Sequence, residues 1–253
     1  MRGFAAFARK EVLEIVRTWR LWVLPGIVAF FALTGPVMAR FTPEILRAVA
    51  GDQLGQFTLP DPTYADAYTG WIKNLSQIVL FALIIVYGGI VSSERRSGTA
   101  VLVLTKPVSR GAFILAKATV HSVFLAVLVI AGTLVTWGLT AVVFGEAPGA
   151  ALWSASLAWL VFGILFVALM TFLSVLISPT AGAAGAGLGA YALVSIAALW
   201  TPLGTYSPAA LTGIPTSLAL GKPVDAFWPV CTGLLVAAAL VAVAVAAFRR
   251  HEL

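Results

Sequence analysis

Six long apolar stretches, separated by shorter polar segments, run through the 253 residues of this chain. Most of them reach the roughly 20 residues that an α-helix needs to cross a bilayer. Prolines, glycines and charged residues mark where the stretches end. The pattern predicts an all-α membrane protein, and its six transmembrane helices fall at about 21–38, 71–91, 113–143, 152–177, 181–200 and 227–248.

Before the first stretch, residues 1–20 combine an apolar side with a basic side. At helical spacing one side carries Phe7, Ala8, Val12, Ile15, Val16 and Trp19, and the other carries Arg2, Arg9, Lys10, Glu14, Arg17 and Arg20. A basic amphipathic helix of this kind lies in the membrane interface. Charges recur too often for a signal peptide. The helix is either a simple surface anchor or an anchor that also contacts a cytoplasmic partner.

The segments between the spans predict further local structure. Residues 39–70 are polar, and Thr42 before Pro43 predicts a capped short helix at 43–50. The third stretch exceeds the length needed to cross, so its first turns, with Lys117 and His121, are expected to protrude or to lie among the headgroups. Residues 201–226 hold four prolines and several large apolar residues. We expect short helices there at the exterior interface, with a re-entrant segment as an open alternative.

Composition supports one membrane domain over residues 1–253. Hydrophobic residues make up 60% of the chain and charged residues only 10%, against about 25% charged in soluble proteins. In a soluble protein the net charge of +6 would suggest nucleic acid, but here the basic residues sit in short loops beside spans. Cys231 stands alone, so the chain has no pair for a disulfide.

The distribution of Lys and Arg predicts the orientation. With six crossings and a cytoplasmic N-terminus, twelve of the sixteen Lys and Arg residues fall on the inner side and four on the outer side. Short cytoplasmic loops carry such an excess of positive charge. The chain is therefore predicted to lie in the cell membrane. Both termini and the segment 92–112 between the second and third spans are predicted to face the cytoplasm.

The segment 92–112 contains the most distinctive motif of the chain. Glu94 is followed by Gly98-Thr99, an apolar stretch, Pro107-Val108-Ser109-Arg110 and then Lys117. In order, spacing and position after the second span, this motif resembles the signature of ABC-2 type transporter permeases. Six spans and an amphipathic N-terminal helix also resemble that family, so the resemblance covers essentially the whole chain.

The resemblance implies an exporter subunit rather than an enzyme. Two permease copies or paralogues would pair, and separate ATP-binding subunits would carry ATP and Mg, leaving this chain without a cofactor of its own. Residues 98–104 would form a coupling helix that docks on the ATPase. The implied coupling residues are Glu94, Arg95, Arg96, Ser97, Gly98, Thr99, Lys106, Pro107 and Arg110. Arg95 and Arg96 stand where the family often has acidic or mixed residues, which leaves the identity of the ATPase open.

The fifth stretch begins with the densest run of small residues in the chain. Gly185 and Gly189 form a GxxxG pair, and Gly182 precedes them. Such residues let helix backbones approach closely. Packing within one bundle and a role at a subunit interface or pathway are both open interpretations.

Several classes of function lack their motifs. The sequence has no GxxxxGK[ST] element, so an ATP-driven transporter would need the ATPase on another chain. Its two histidines, His121 and His251, sit near span ends, with no metal or catalytic pattern around them. The spans lack the mid-membrane carboxylates common in ion-coupled transporters. A six-span channel, or a structural subunit that works without an ATPase, remains the alternative to the permease.

Overall fold

The computed structural model describes residues 3–50, 60–97 and 109–250. These residues are almost entirely helical, and no β-strand occurs among them. Six helices are long and apolar enough to cross a membrane, which confirms the predicted all-α membrane fold. They are Leu21–Val49, Tyr64–Arg96, Arg110–Phe144, Gly149–Leu176, Thr180–Ala197 and Phe227–Arg250, called here the first to sixth spans.

The N-terminal helix, Phe4–Arg17, precedes the spans and packs mainly against the third span. Its buried residues, Phe7, Glu11 and Ile15, recur every four residues and so form one stripe. The Phe7 ring meets Phe113 of the third span edge-on at 5.5 Å between centroids. Phe113 in turn stacks on Phe248 of the sixth span. The amphipathic helix is therefore attached to the bundle by apolar contacts.

The first span is longer than the sequence pattern predicts. Its helix runs without interruption over Arg20–Ala50, through Pro25, Pro36 and Pro43. The predicted end at residue 38 and the separate helix at 43–50 are therefore wrong. Thr42 does not act as a cap, because its hydroxyl donates to the carbonyl of Met38 at 2.7 Å, within the same helix. Apolar surroundings favour keeping backbone groups bonded inside a helix, even around prolines.

The second span also begins earlier than predicted, at Tyr64. A capping box starts it: the side chain of Asp66 accepts from the backbone N–H of Thr63 at 2.8 Å. The helix then passes through one π-helical turn, Leu75–Val79, and regular helix Leu80–Tyr87. After a turn at 88–91 it ends in a short helix, Ser92–Arg96. Local capping thus extends the helix toward its N-terminus, over residues that a hydropathy pattern alone assigns to a loop.

The third span is the helix Arg110–Phe144, with a rise of about 52 Å. Ser109 caps its start by accepting from the N–H of Ala112 at 3.1 Å. Gly145 ends it with φ of 77°, a left-handed conformation that favours glycine. At Gly132 the helix lies directly against Trp71 of the second span, where an added Cβ would meet the ring at 2.4 Å.

The second, third and fourth spans form the centre of the bundle, and the first, fifth and sixth lie around them with few of their residues fully buried. Residues 201–226 contain three short helices, as predicted: Thr201–Tyr206, the 3₁₀ turn Pro208–Thr212, and Ile214–Ala219. The last of these packs on the fourth span and the start of the second. Burial of Leu211 and Ile214 explains why this connection is so apolar.

Candidate functional site

A buried cluster of charged side chains joins the N-terminal helix to the second and third spans. Lys117 of the third span lies at its centre with no exposed surface. Its ammonium donates to Glu11 of the N-terminal helix at 3.0 Å and, in a very short contact, to Glu94 near the end of the second span. Glu11 is also almost fully buried, at 1% exposure. The N-terminal helix, the second span and the third span therefore meet in one cluster, in which opposite charges compensate each other.

Lys10 closes the cluster on its outer side. Its ammonium lies 3.0 Å from Glu11, 2.7 Å from Glu14 and 2.6 Å from Glu94. The Lys10 side chain keeps about a third of its surface exposed. It therefore forms the boundary between the buried pairs and the surrounding solvent or headgroups. The two lysines together hold three carboxylates.

His121 lies one helical turn beyond Lys117. Its Nε2 is 3.6 Å from the Glu11 carboxylate, and its ring packs edge-on against Tyr87 at 4.8 Å between centroids. His121 is fully buried. The prediction that Lys117 and His121 protrude is therefore wrong, while their depth relative to the headgroups stays a prediction. Both side chains point into the bundle because carboxylates from two other helices compensate the cost of burying them.

The N-terminal helix carries the groups whose protonation is most perturbed. Burial alone would raise the pKa of Glu11, but His121 and the charges of Lys117 and Lys10 together hold it well below its ordinary value. Burial works against a positive charge on Lys10, yet the three carboxylates raise its pKa above its usual range. Glu14 follows Glu11: burial opposes ionisation, and Lys117 and Lys10 lower its pKa. All three groups are therefore charged at neutral pH.

The same carboxylates are close enough to be considered as metal ligands. One oxygen each from Glu11, Glu14 and Glu94 lies within 4.8 Å of the others. However, Lys10 and Lys117 already contact these carboxylates within hydrogen-bond distance. A divalent cation would have to displace at least one ammonium group. The arrangement fits an ion-pair network better than a metal site.

The turn that ends the second span is held by the fourth and fifth spans. The hydroxyl of Ser174 accepts from the backbone N–H groups of Val91 and Ser92, at 3.1 Å each. Arg95 donates to the carbonyl of Val175 at 2.8 Å, and Arg96 donates to the hydroxyl of Thr180 at 2.6 Å. Val175 lies at the end of the fourth span, and Thr180 begins the fifth.

The structure thus gives specific positions to the coupling residues that the family resemblance implies. Glu94 is buried in the charge cluster, so it is not part of a docking surface. Arg95 is partly buried, and Arg96 and Ser97 are exposed. Arg110 donates to the carbonyl of Arg249 at the end of the sixth span, at 3.2 Å. Gly98, Thr99, Lys106 and Pro107, with the predicted coupling helix, lie outside the described residues.

The glycines of the fifth span do not pack as a GxxxG pair within this chain. A Cβ added at Gly185 or Gly189 would meet no described residue within 4 Å, and at Gly182 it would meet the preceding segment at Ile177. The close approach occurs instead at Gly187, where a Cβ would meet Met170 at 2.5 Å and Ile84 at 2.9 Å. The interpretation of Gly185 and Gly189 as packing within one bundle is therefore wrong.

Glu11 is absent from the site residues predicted from the sequence, yet it pairs with both Lys117 and His121. A signal was present: Glu11 lies midway between Phe7 and Ile15 at helical spacing, on the side of the helix that is otherwise apolar. A carboxylate on such a stripe needs a buried cation as partner. Which cation pairs with it follows only from how the helices pack.

Comparison with known proteins matches this chain to a protein family and to a transmembrane relative. A family model described as "Protein of unknown function (DUF2705)" matches residues 55–252. The chain is 26% identical over 259 residues to an uncharacterized transmembrane protein, YxlG, of Bacillus subtilis (strain 168). That alignment covers all of this chain and 99% of the relative. The match supports a multi-pass membrane protein over the full length.

Proposed function

This chain belongs to the DUF2705 family, and we propose that it is the membrane-spanning subunit of an ABC-2 type transporter, an exporter driven by a separate ATPase. The observation that carries the proposal is the set of contacts made by residues 88–96, immediately before the segment 98–108. They reach the N-terminal helix and the third span through Glu94. They reach the fourth and fifth spans through Ser174, Arg95 and Arg96.

These contacts give the loop a mechanical role. A force applied to the loop would act on a segment that is attached to four other helices at the same end of the bundle. Buried ion pairs resist separation, because pulling one partner away leaves an uncompensated charge. Such a segment moves its neighbours with it rather than bending independently. That is the property a coupling element between an ATPase and a permease requires.

A second permease copy has a suitable surface on the fifth span. Gly185 and Gly189 face outward, and the neighbouring second span exposes Phe81 and Ile85 beside them. The two spans touch at this level, since Phe81 packs edge-on against Tyr191. Small residues beside large apolar ones allow close helix packing in a bilayer. We propose that this face contacts the second copy or a paralogue.

The proposed orientation puts both termini and residues 92–112 in the cytoplasm, where an ATPase could bind. Lys10, Lys117 and the arginines beside Glu94 then lie on the inner side, as the excess of basic residues favours. ATP and Mg would be bound by the partner chain. This chain would contribute no catalytic group to hydrolysis.

The test is co-purification from native membranes in mild detergent, with ATPase activity measured in the eluate. The loop variants are Gly98→Pro and Lys106→Glu, and the matched control is Lys222→Glu, the same charge reversal in the segment at the opposite end. We expect an ATPase with a P-loop to accompany the wild type and the control and to be lost or uncoupled in both loop variants.

The same experiment can refute the proposal. If no ATPase accompanies the wild-type chain, or if both loop variants retain it with unchanged activity, the chain works without this coupling and is a channel or structural subunit. Glu94 is avoided as a test position, because its substitution would disrupt the buried cluster and so report on folding.

A further inference from the structure

An apolar groove lies along the outer side of the N-terminal helix. It is lined by Phe4, Ala8, Val12 and Val16 of that helix and by Val123 and Val127 of the third span, and it has a volume of about 420 Å³. Residues 4–16 span about 18 Å of helix, so the groove is long and narrow. Val12, Val16, Val123 and Val127 each remain about half exposed, so it opens outward along its length.

The surroundings of the groove place it at a membrane interface. Phe7 meets Phe113 at 5.5 Å between ring centroids, and Glu11 meets Lys117 at 3.0 Å. The N-terminal helix therefore runs alongside the third span in the same direction. The Phe4 end of the groove lies beside the start of that span, near the headgroups, and the Val16 end lies toward Val127, farther into the hydrocarbon region.

An exposed cation, Arg9, lies beside this groove. Arg9 precedes Val12 by three residues and Val16 by seven, so helical spacing puts it on the groove's outer edge. Its side chain is exposed, and within the described part of the chain it forms no ion pair. Lys10, by contrast, is fully engaged by carboxylates. Arg9 is thus available to a negatively charged group in the headgroup layer.

From this combination we infer that the groove binds one acyl chain of an anionic glycerophospholipid, with its phosphate at Arg9. The bilayer supplies such chains at the mouth of the groove, and van der Waals packing against its apolar walls favours a bound chain. The basic side chain then selects for negative charge over a zwitterionic headgroup. The N-terminal helix would bind lipid on one side and hold Glu11 in the charge cluster on the other.

The inference is tested on the purified, delipidated protein by native mass spectrometry. Dioleoyl-phosphatidylglycerol and dioleoyl-phosphatidylcholine are titrated separately. We expect one tight phosphatidylglycerol site in the wild type. Arg9→Gln should weaken phosphatidylglycerol binding about five-fold and leave phosphatidylcholine binding unchanged. Arg47→Gln, which removes an equal charge near the far end of the first span, is the control and should have no effect.

Two substitutions that fill the groove test its position. Ala8→Phe places a ring in it from the N-terminal helix, and Val123→Phe does so from the third span. Val142→Phe is the control, since Val142 is 81% exposed near the other end of the third span. We expect both groove variants to lose the tight site and the control to keep it. If Ala8→Phe misfolds, Val123→Phe decides the question.

Three results would overturn the inference. One is equal binding of the two lipids by the wild type. Another is retention of the tight site in a folded Val123→Phe variant. The third is a loss on Arg9→Gln that affects both lipids alike. None of these measurements involves an ATPase, so their outcome is independent of the proposed transport function.

Discussion

Lys117 and Glu11, which are 106 positions apart in the chain, form a fully buried ion pair of 3.0 Å. The pair joins the amphipathic N-terminal helix to the third span at the level where Glu94 ends the second. It turns what looks like a surface anchor into an integral part of the helix bundle.

Removing the central cation should destabilise the protein strongly. Lys117→Met would leave Glu11 and Glu94 buried next to an apolar side chain, and breaking a buried pair in this way costs about 3–5 kcal/mol. Thermal unfolding in detergent, followed by circular dichroism, measures the effect. The exposed Lys73→Met is the control and should change stability little. The double variant Glu11→Gln/Lys117→Met should recover part of the loss; a double variant as unstable as the sum of both single ones would contradict the pairing.

The free energy of unfolding should fall at acid pH because Glu11 and Glu14 become protonated. Their pKa values are lowered in the folded protein, so the unfolded chain binds protons first as pH falls. Their contribution is therefore complete above the ordinary glutamate pKa of about 4.3 and is lost as pH falls from there toward the folded values. Melting temperatures measured between pH 7 and pH 3 in detergent check this. Glu11→Gln should lower the melting temperature at pH 7 and flatten the acid decline; an unchanged slope would contradict the assignment.

At alkaline pH the protein should lose the stability that Lys10 contributes. Its pKa is raised in the folded protein, so its contribution is complete below the ordinary lysine pKa of about 10.4 and is lost as pH rises through the folded value. Lys10→Gln should lower the melting temperature at neutral pH and weaken its decline above pH 10. Because about a third of the Lys10 side chain is exposed, its effect at neutral pH should be smaller than that of Lys117→Met.

Two glycines of the third span should respond differently to the same substitution. An added Cβ at Gly132 would meet the buried Trp71 ring at 2.4 Å and Val28 at 2.8 Å, whereas at Gly138 it would meet nothing within 4 Å in the described part of the chain. Gly132→Ala should cost about 1–3 kcal/mol through overpacking. Gly138→Ala should be neutral or slightly stabilising, because alanine favours helix over glycine. Equal melting temperatures for the two variants would contradict the close approach of the second and third spans.

Glycine substitutions in the fifth span test whether two copies of the chain associate. Gly185→Leu and Gly189→Leu should leave the stability of the single chain unchanged, since both positions face open space. They should reduce dimer formation if this face meets a second copy. Gly187→Leu, in contact with Met170 and Ile84, should destabilise the chain itself. Chemical cross-linking that does not use cysteine, carried out in native membranes, measures dimer formation. Thermal unfolding measures the stability of the single chain. Undiminished cross-linking in both outward variants would assign this face to lipid.

Local sequence patterns were sufficient for much of the fold. The apolar stretches predicted six membrane helices, and the short helices after residue 200 followed from local residues. These features depend on hydrophobic transfer into the bilayer and on hydrogen bonds between near neighbours in the chain. Such interactions act on each segment separately, so the order of residues determines them.

Other features depended on which helices meet. Lys117 and His121 look like headgroup-level residues in a hydropathy pattern, and Gly185 and Gly189 look like packing glycines, yet the structure buries the first pair and exposes the second. A buried charge requires an opposite charge at close range, and a glycine allows close packing only where another helix faces it. Glu11 and Glu94 reach Lys117 only after three helices have packed together. The sequence by itself therefore determined the spans, and only the tertiary structure decided the charge cluster that joins them.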